Sequence, residues 1–73
     1  MKEIFESVAY RLSILTDFDV TVNESGGEYL LYFRKNREIK YLINISKVYK
    51  GTLVLDVKTL VDICKLVLKN KVM

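Results

Sequence analysis

The chain has 73 residues, a net charge of +3, and no His, Gln, Pro or Trp. This length allows a single domain, and 51% hydrophobic with 29% charged residues argues against a disordered chain. No apolar run approaches the roughly 18 residues of a membrane span, and one Cys without His excludes ordinary zinc sites. The lone Cys64 and the lack of a signal-peptide pattern after Lys2-Glu3 favour a cytoplasmic protein. The absence of Gln beside abundant Lys and Glu is typical of thermophilic sources, and equally of AT-rich genomes.

The first predicted element is a helix over residues 3–16. Its apolar side chains recur every three or four residues and therefore share one face; they are Ile4, Phe5, Val8, Ala9, Leu12 and Leu15. Tyr10 and Ile14 lie four residues apart on the opposite side. Such a pair is a candidate contact with another protein, although single exposed apolar residues are also common.

Three strands are predicted next, over residues 18–23, 28–34 and 39–46. The first and third alternate apolar with polar side chains, whereas the middle one is apolar on both faces. The apolar positions of the first and third strands are Phe18, Val20, Val22, Ile39, Tyr41, Ile43 and Ile45.

The turns between the strands predict the register of the sheet. A two-residue turn at Gly26-Gly27 pairs Val22 with Leu31 and Val20 with Phe33. A three-residue loop over 36–38 joins the other two strands, and its predicted pairs are Phe33 with Tyr41, Leu31 with Ile43, Tyr32 with Leu42 and Arg34 with Lys40. Because opposite residues share a face, one face stays apolar throughout. This agreement predicts an antiparallel meander with residues 28–34 in the middle.

The last predicted element is a helix that begins after Asp56, which is a good N-cap. Apolar residues follow at helical spacing; they are Val57, Leu60, Val61, Cys64, Val67 and Leu68. Residues 52–55 leave two alternatives, a short fourth strand, which we favour, or the first turn of this helix with Thr52 as its cap. The predicted fold class is therefore α+β, one small domain over residues 1–73 with the order helix–strand–strand–strand–(short strand)–helix. Short connections place both helices on one face of the meander.

This order of elements is similar to that of the double-stranded RNA-binding domain. The resemblance covers topology only. The loop after the first strand and the lysine cluster at the start of the second helix, which mark that family, are replaced by Ser25-Gly26-Gly27-Glu28 and Asp56-Val57-Lys58-Thr59. The resemblance therefore implies no site residues.

Charge is unevenly distributed along the chain. Residues 1–28 carry two bases against six acids (−4), and residues 29–73 carry ten bases against three acids (+7). Several bases, with one interleaved aromatic side chain, follow the middle strand: Arg34, Lys35, Arg37, Lys40, Lys47, Tyr49 and Lys50. If these residues share one side of the fold, they could neutralise phosphates there. The alternative predicted function is therefore a small basic nucleic-acid-binding protein. Charged hairpin tips also serve solubility and protect sheet edges.

The predicted register leaves Leu30, Tyr32 and Leu42 on the face of the sheet away from the helices. An exposed apolar patch usually marks an interaction. Tyr32 could instead stack on an unpaired base between Arg34 and Lys40, or the last helix could cover this face. The leading prediction is a non-enzymatic protein-interaction module, a homodimer that uses this patch or the Tyr10–Ile14 pair.

No enzyme is predicted. His, the commonest general acid or base, is absent, and Cys64 on an apolar stripe without a His partner is expected to be a structural thiol. The spacing of Asp17, Asp19 and Glu24 matches no cation-binding loop. Ser25-Gly26-Gly27 does not precede a helix, as a phosphate-binding loop would. We therefore expect no catalytic residue, metal, cofactor, small-molecule substrate or membrane contact.

Overall fold

The computed structural model describes residues 2–52 and 56–72. Its elements are α1 (Lys2–Leu15), β1 (Asp19–Ser25), β2 (Glu28–Lys35), β3 (Glu38–Asn44), α2 (Ile45–Thr52) and α3 (Val57–Val72). The three strands form one antiparallel sheet in the order β1-β2-β3. The predicted α+β class, with residues 28–34 in the middle of a meander, is therefore confirmed.

Polar side chains join α1 to β1. The Ser13 hydroxyl accepts the Val20 N–H at 2.9 Å and lies 3.0 Å from the Ala9 carbonyl oxygen, to which it can donate. At the end of α1, the Thr16 hydroxyl donates to the Leu12 carbonyl and accepts the Phe18 N–H. These bonds tie the last turns of α1 to the residues that follow it, and they fix the direction in which the chain enters β1.

The first hairpin has the predicted register, with Val22 opposite Leu31 and Val20 opposite Phe33. Gly26 and Gly27 form its turn with φ angles of 59° and 80°. Two consecutive residues in the left-handed region match the twist of the flanking strands, and Gly adopts this conformation without a steric penalty.

The turn of the second hairpin differs from its prediction. Asn36 and Arg37 alone form the turn, with φ angles of 54° and 69°, and Lys35 pairs with Glu38. The predicted three-residue loop is therefore wrong. Asn enters the left-handed region more easily than most residues, so a two-residue turn of the kind that suits the strand twist is accessible here.

A bulge between Phe33 and Arg34 reconciles this turn with the core. On the side of the bulge away from the turn, the predicted pairs are found: Phe33 with Tyr41, Leu31 with Ile43 and Tyr32 with Leu42. Between the bulge and the turn, Arg34 pairs with Ile39, so the predicted Arg34–Lys40 pair is wrong. A bulge absorbs one extra residue of one strand. Ile39 consequently leaves the core face where it was predicted, and it is 51% exposed.

The third strand ends at Asn44, earlier than predicted, because a helix that was not predicted begins at Ile45. The Asn44 side-chain oxygen accepts the Lys47 N–H at 3.1 Å and caps this helix, α2. The buried Ser46 hydroxyl accepts the Tyr29 N–H at 2.8 Å. This bond replaces the ladder bond that a longer β3 would have supplied. Thr52 ends α2, and residues 53–55 of the predicted short strand lie outside the described residues.

Asp56 caps α3, as predicted. Its carboxylate accepts the Thr59 hydroxyl at 2.8 Å and the Thr59 N–H at 3.3 Å, and these hydrogen bonds lower the pKa of Asp56. Each bond favours the charged carboxylate and satisfies a donor at the start of the helix.

The helices pack on one face of the sheet, which we call the inner face. All described elements contribute to the core between the helices and the sheet. Its buried side chains are Phe5, Val8, Ala9, Leu12, Val20, Leu31, Phe33, Ile43, Ile45, Leu60, Val61, Cys64 and Leu68. Since the buried residues of α3 belong to this cluster, the alternative in which the last helix covers the other face is wrong. Within the described residues, no helix is both long and apolar enough to cross a membrane.

Candidate interaction surface

The other face of the sheet, which we call the outer face, carries the candidate site. The register places its side chains in three rows across β1, β2 and β3. These rows are Asp19–Arg34–Ile39, Thr21–Tyr32–Leu42 and Asn23–Leu30–Asn44. No described helix lies over them.

Four apolar side chains are grouped on the outer face. Leu30 and Tyr32 are half-buried, while Leu42 is 44% and Ile39 51% exposed. Of the three predicted residues of the patch, Leu42 is therefore exposed and the other two are only partly accessible. Ile39, which was not predicted for this patch, joins them because of the bulge. The available signal was Asn36, a residue that tolerates a tight turn.

Arg34 lies against this patch. Its guanidinium carbon is 5.7 Å from the centre of the Tyr32 ring, within the range of a cation–π contact. The Nε atom is buried and has no hydrogen-bond partner, and no ion pair joins Arg34 to Asp19, its neighbour on β1. The guanidinium thus contacts an aromatic ring and forms no ion pair with a described carboxylate.

The other bases of the second hairpin have different surroundings. Lys40 forms a 2.8 Å ion pair with Glu38, which raises the pKa of Lys40 and lowers that of Glu38. The Lys35 ammonium is 5.9 Å from the centre of the Phe18 ring. Arg37 is exposed at the turn. The structure therefore brings Arg34, Lys35, Arg37 and Lys40 to one end of the sheet, where Lys40 is already paired.

Lys47, Tyr49 and Lys50 lie at the opposite end, on α2. The Tyr49 ring is half-buried and packs edge-on against Phe5, with ring centres 6.3 Å apart. Lys50 lies beside Gly27 of the first turn. Because β2 has eight residues, about 23 Å separate its two ends. The residues predicted for nucleic-acid binding are thus divided between two ends of the fold.

Tyr10 and Ile14 are both exposed on the solvent side of α1. They line a shallow hollow whose other residues are mostly polar, Glu3, Glu6, Ser7, Arg11 and Val57. Since α1 packs on the inner face, this pair and the outer-face patch lie on different sides of the domain. The two groups predicted for the interface do not form one surface.

Reactive groups are scarce in the described residues. Burial raises the pKa of the Cys64 thiol from 9.0 to about 12, so the nucleophilic thiolate is scarce at neutral pH. In residues 2–52 and 56–72, no three His, Cys, Asp or Glu side chains come together where they could hold a metal ion. The outer face is therefore the strongest candidate site.

No protein-family model, no curated protein and no solved structure matches this chain.

Proposed function

We propose that the protein is a non-enzymatic interaction module that self-associates through the outer face of its sheet. The observation that carries this proposal is the apolar group Leu30, Tyr32, Ile39 and Leu42, which no described helix covers and of which Ile39 and Leu42 are exposed. Grouped apolar side chains on an exposed face often mark an interaction site. A domain of this size buries only about 60% of its unfolded surface, so covering the outer face with a second copy adds stability that the chain itself cannot supply.

The size of the outer face sets the expected strength of association. Three strands about 4.8 Å apart and about 23 Å long present a face of roughly 14 by 23 Å. Typical stable interfaces bury about 800 Å² on each partner, a large share of the domain's total accessible area of 4867 Å². At roughly 320 Å² the flat area of the face is smaller than such an interface. We therefore expect a weak, reversible dimer with a dissociation constant no tighter than the order of micromolar.

We expect Leu42→Lys to weaken self-association at least tenfold, because it places a charge in the centre of the apolar contact. Sedimentation velocity over protein concentrations from about 1 μM to about 1 mM measures the change. Leu66→Lys is the matched control, since Leu66 is 63% exposed on α3 and away from the outer face. Circular dichroism verifies that both variants fold.

Three results would contradict the proposal. The native chain could remain a monomer throughout this range, or Leu42→Lys could associate as strongly as Leu66→Lys. Loss of association in Ile14→Lys, but not in Leu42→Lys, would move the interface to the Tyr10–Ile14 pair.

Single-stranded nucleic acid is the second candidate, favoured by the Arg34–Tyr32 contact on an open sheet face beside a basic hairpin. An aromatic ring on such a face can stack on an unpaired nucleobase, and basic side chains near the ring can bind the phosphates.

This candidate predicts that a labelled oligonucleotide binds and that binding falls steeply with salt. Arg37→Glu should weaken it several-fold more than Lys50→Glu, at the far end of the sheet, when measured by fluorescence polarisation. Absence of binding at low salt to both RNA and DNA would eliminate this candidate.

A further inference from the structure

The outer face carries opposite charges at its two ends. On β2, side chains alternate between the faces, so Glu28, Leu30, Tyr32 and Arg34 follow one another along the outer face. Glu28 lies at the first turn and Arg34 at the second, about 20 Å apart. The strand thus presents an acid, two apolar side chains and a base in a line.

Few of the neighbouring charges share this face. The register places Glu24 opposite Tyr29, and Lys35 follows Arg34 on β2, so both are on the inner-face side. Glu28 is therefore the acid of the first end, and at the second end Arg34 lies beside Asp19. Lys47 and Lys50 lie near the first end, but on α2, which packs against the inner face.

Two copies of the sheet can meet face to face in two symmetric ways. A two-fold axis along the strands places each β2 position over the same position of the second copy, so Arg34 meets Arg34 and Glu28 meets Glu28. A two-fold axis across the strands reverses one sheet relative to the other. Position 28 then lies over position 34, and position 30 lies over position 32. Only the second arrangement brings opposite charges together, and like charges in close contact cost binding energy.

Building on the proposed self-association, we propose that the two sheets stack antiparallel, with Arg34 paired to Glu28 of the partner subunit. This contact occurs twice because the interface is symmetric. The Arg34 guanidinium carbon lies 5.7 Å from the centre of the Tyr32 ring on the same face, and a guanidinium suits a two-point contact with a carboxylate. Between these ion pairs, Leu30 and Tyr32 pack against the same two side chains of the second copy.

Charge reversal tests this arrangement. Glu28→Arg and Arg34→Glu should each weaken self-association at least tenfold, because each leaves two like-charge contacts. The double variant, Arg34→Glu with Glu28→Arg, restores opposite charges at both contacts and should self-associate within about threefold of the native chain. When it is mixed with native protein, we expect no heterodimer. Each contact between positions 28 and 34 of the two different chains would then join like charges, which repel. Sedimentation velocity measures the dimers, and energy transfer between differently labelled chains measures the mixing.

The outcomes separate this inference from the proposed function. If the native chain dimerises and both single reversals dimerise equally well, the antiparallel stack is wrong while self-association stands. Heterodimers of native chain and double variant would indicate the parallel stack instead. If Arg34→Glu loses stability together with its Tyr32 contact, self-association of Glu28→Arg alone still tests the antiparallel stack. A native chain that stays monomeric would overturn both proposals.

Discussion

Replacing Ile43 with Ala is expected to lower the free energy of unfolding by about 2–5 kcal/mol. Ile43 is 3% exposed and packs in the core between the sheet and the helices, so the shorter side chain leaves a cavity. Stability for a chain of this length is about 4–11 kcal/mol. The variant should therefore unfold at a clearly lower urea concentration, measured by circular dichroism.

Ile39→Ala is the matched control on the same strand. The bulge places Ile39 on the outer face, where truncation should cost less than about 1 kcal/mol at protein concentrations that keep the chain monomeric. Equal losses at the two isoleucines would show that Ile39 faces the core. In that case the second hairpin would have the three-residue loop, without the bulge.

The Cys64 thiol is expected to react about 1000-fold more slowly with an aromatic disulfide reagent at pH 8 in the folded protein than in urea. At pH 8 about 10% of a thiol with a pKa of 9.0 is thiolate, against about 0.01% at the pKa of about 12 that burial causes in Cys64. Absorbance of the released thiolate measures both rates. Reaction at similar rates in the two states would place Cys64 at the surface.

The same group makes stability depend on pH. A thiol whose pKa is higher in the folded state binds its proton more tightly there, so its contribution is complete below about pH 9. It is lost as the pH rises toward 12, at about 1.4 kcal/mol per pH unit. Cys64→Ala removes this dependence and keeps the titration of Lys and Tyr residues. Identical pH profiles of the two proteins would contradict the assignment.

The core of the sheet could be predicted from sequence because two independent signals agree. Gly26-Gly27 fixes the first turn, and the alternation around Val20, Val22 and Leu31 then allows a single register. A slip of one residue would move every apolar side chain to the other face. Local turn chemistry and long-range burial therefore select the same pairing.

The second hairpin was mispredicted because its signals disagree. The alternation of Ile39 with Tyr41 and Ile43 favours a regular strand, whereas Asn36 and Arg37 form a turn one residue shorter than this strand requires. The bulge resolves the conflict by moving Ile39 outward. The alternation alone therefore placed Ile39 on the wrong face.

Helix α2 escaped prediction for a different reason. Ile45 continues the alternation of β3, and β-branched residues favour strands. The alternation therefore predicts that the strand continues past Asn44, although Asn44 can cap a helix. What ends the strand is the Ser46–Tyr29 hydrogen bond, which joins residues 17 positions apart. A tertiary contact of this kind has no counterpart in local periodicity.

The Ser13 hydroxyl, which joins α1 to β1, also affects whether another chain can add a strand to the edge of the sheet. Val20 is one of three positions on the outer margin of β1, with Val22 and Glu24, whose backbone groups point away from β2. Because Ser13 already occupies the Val20 N–H, a strand added at this margin would lack one of the donors that it needs to extend the sheet. Fibril-like growth by strand addition at the β1 margin is thereby made less favourable.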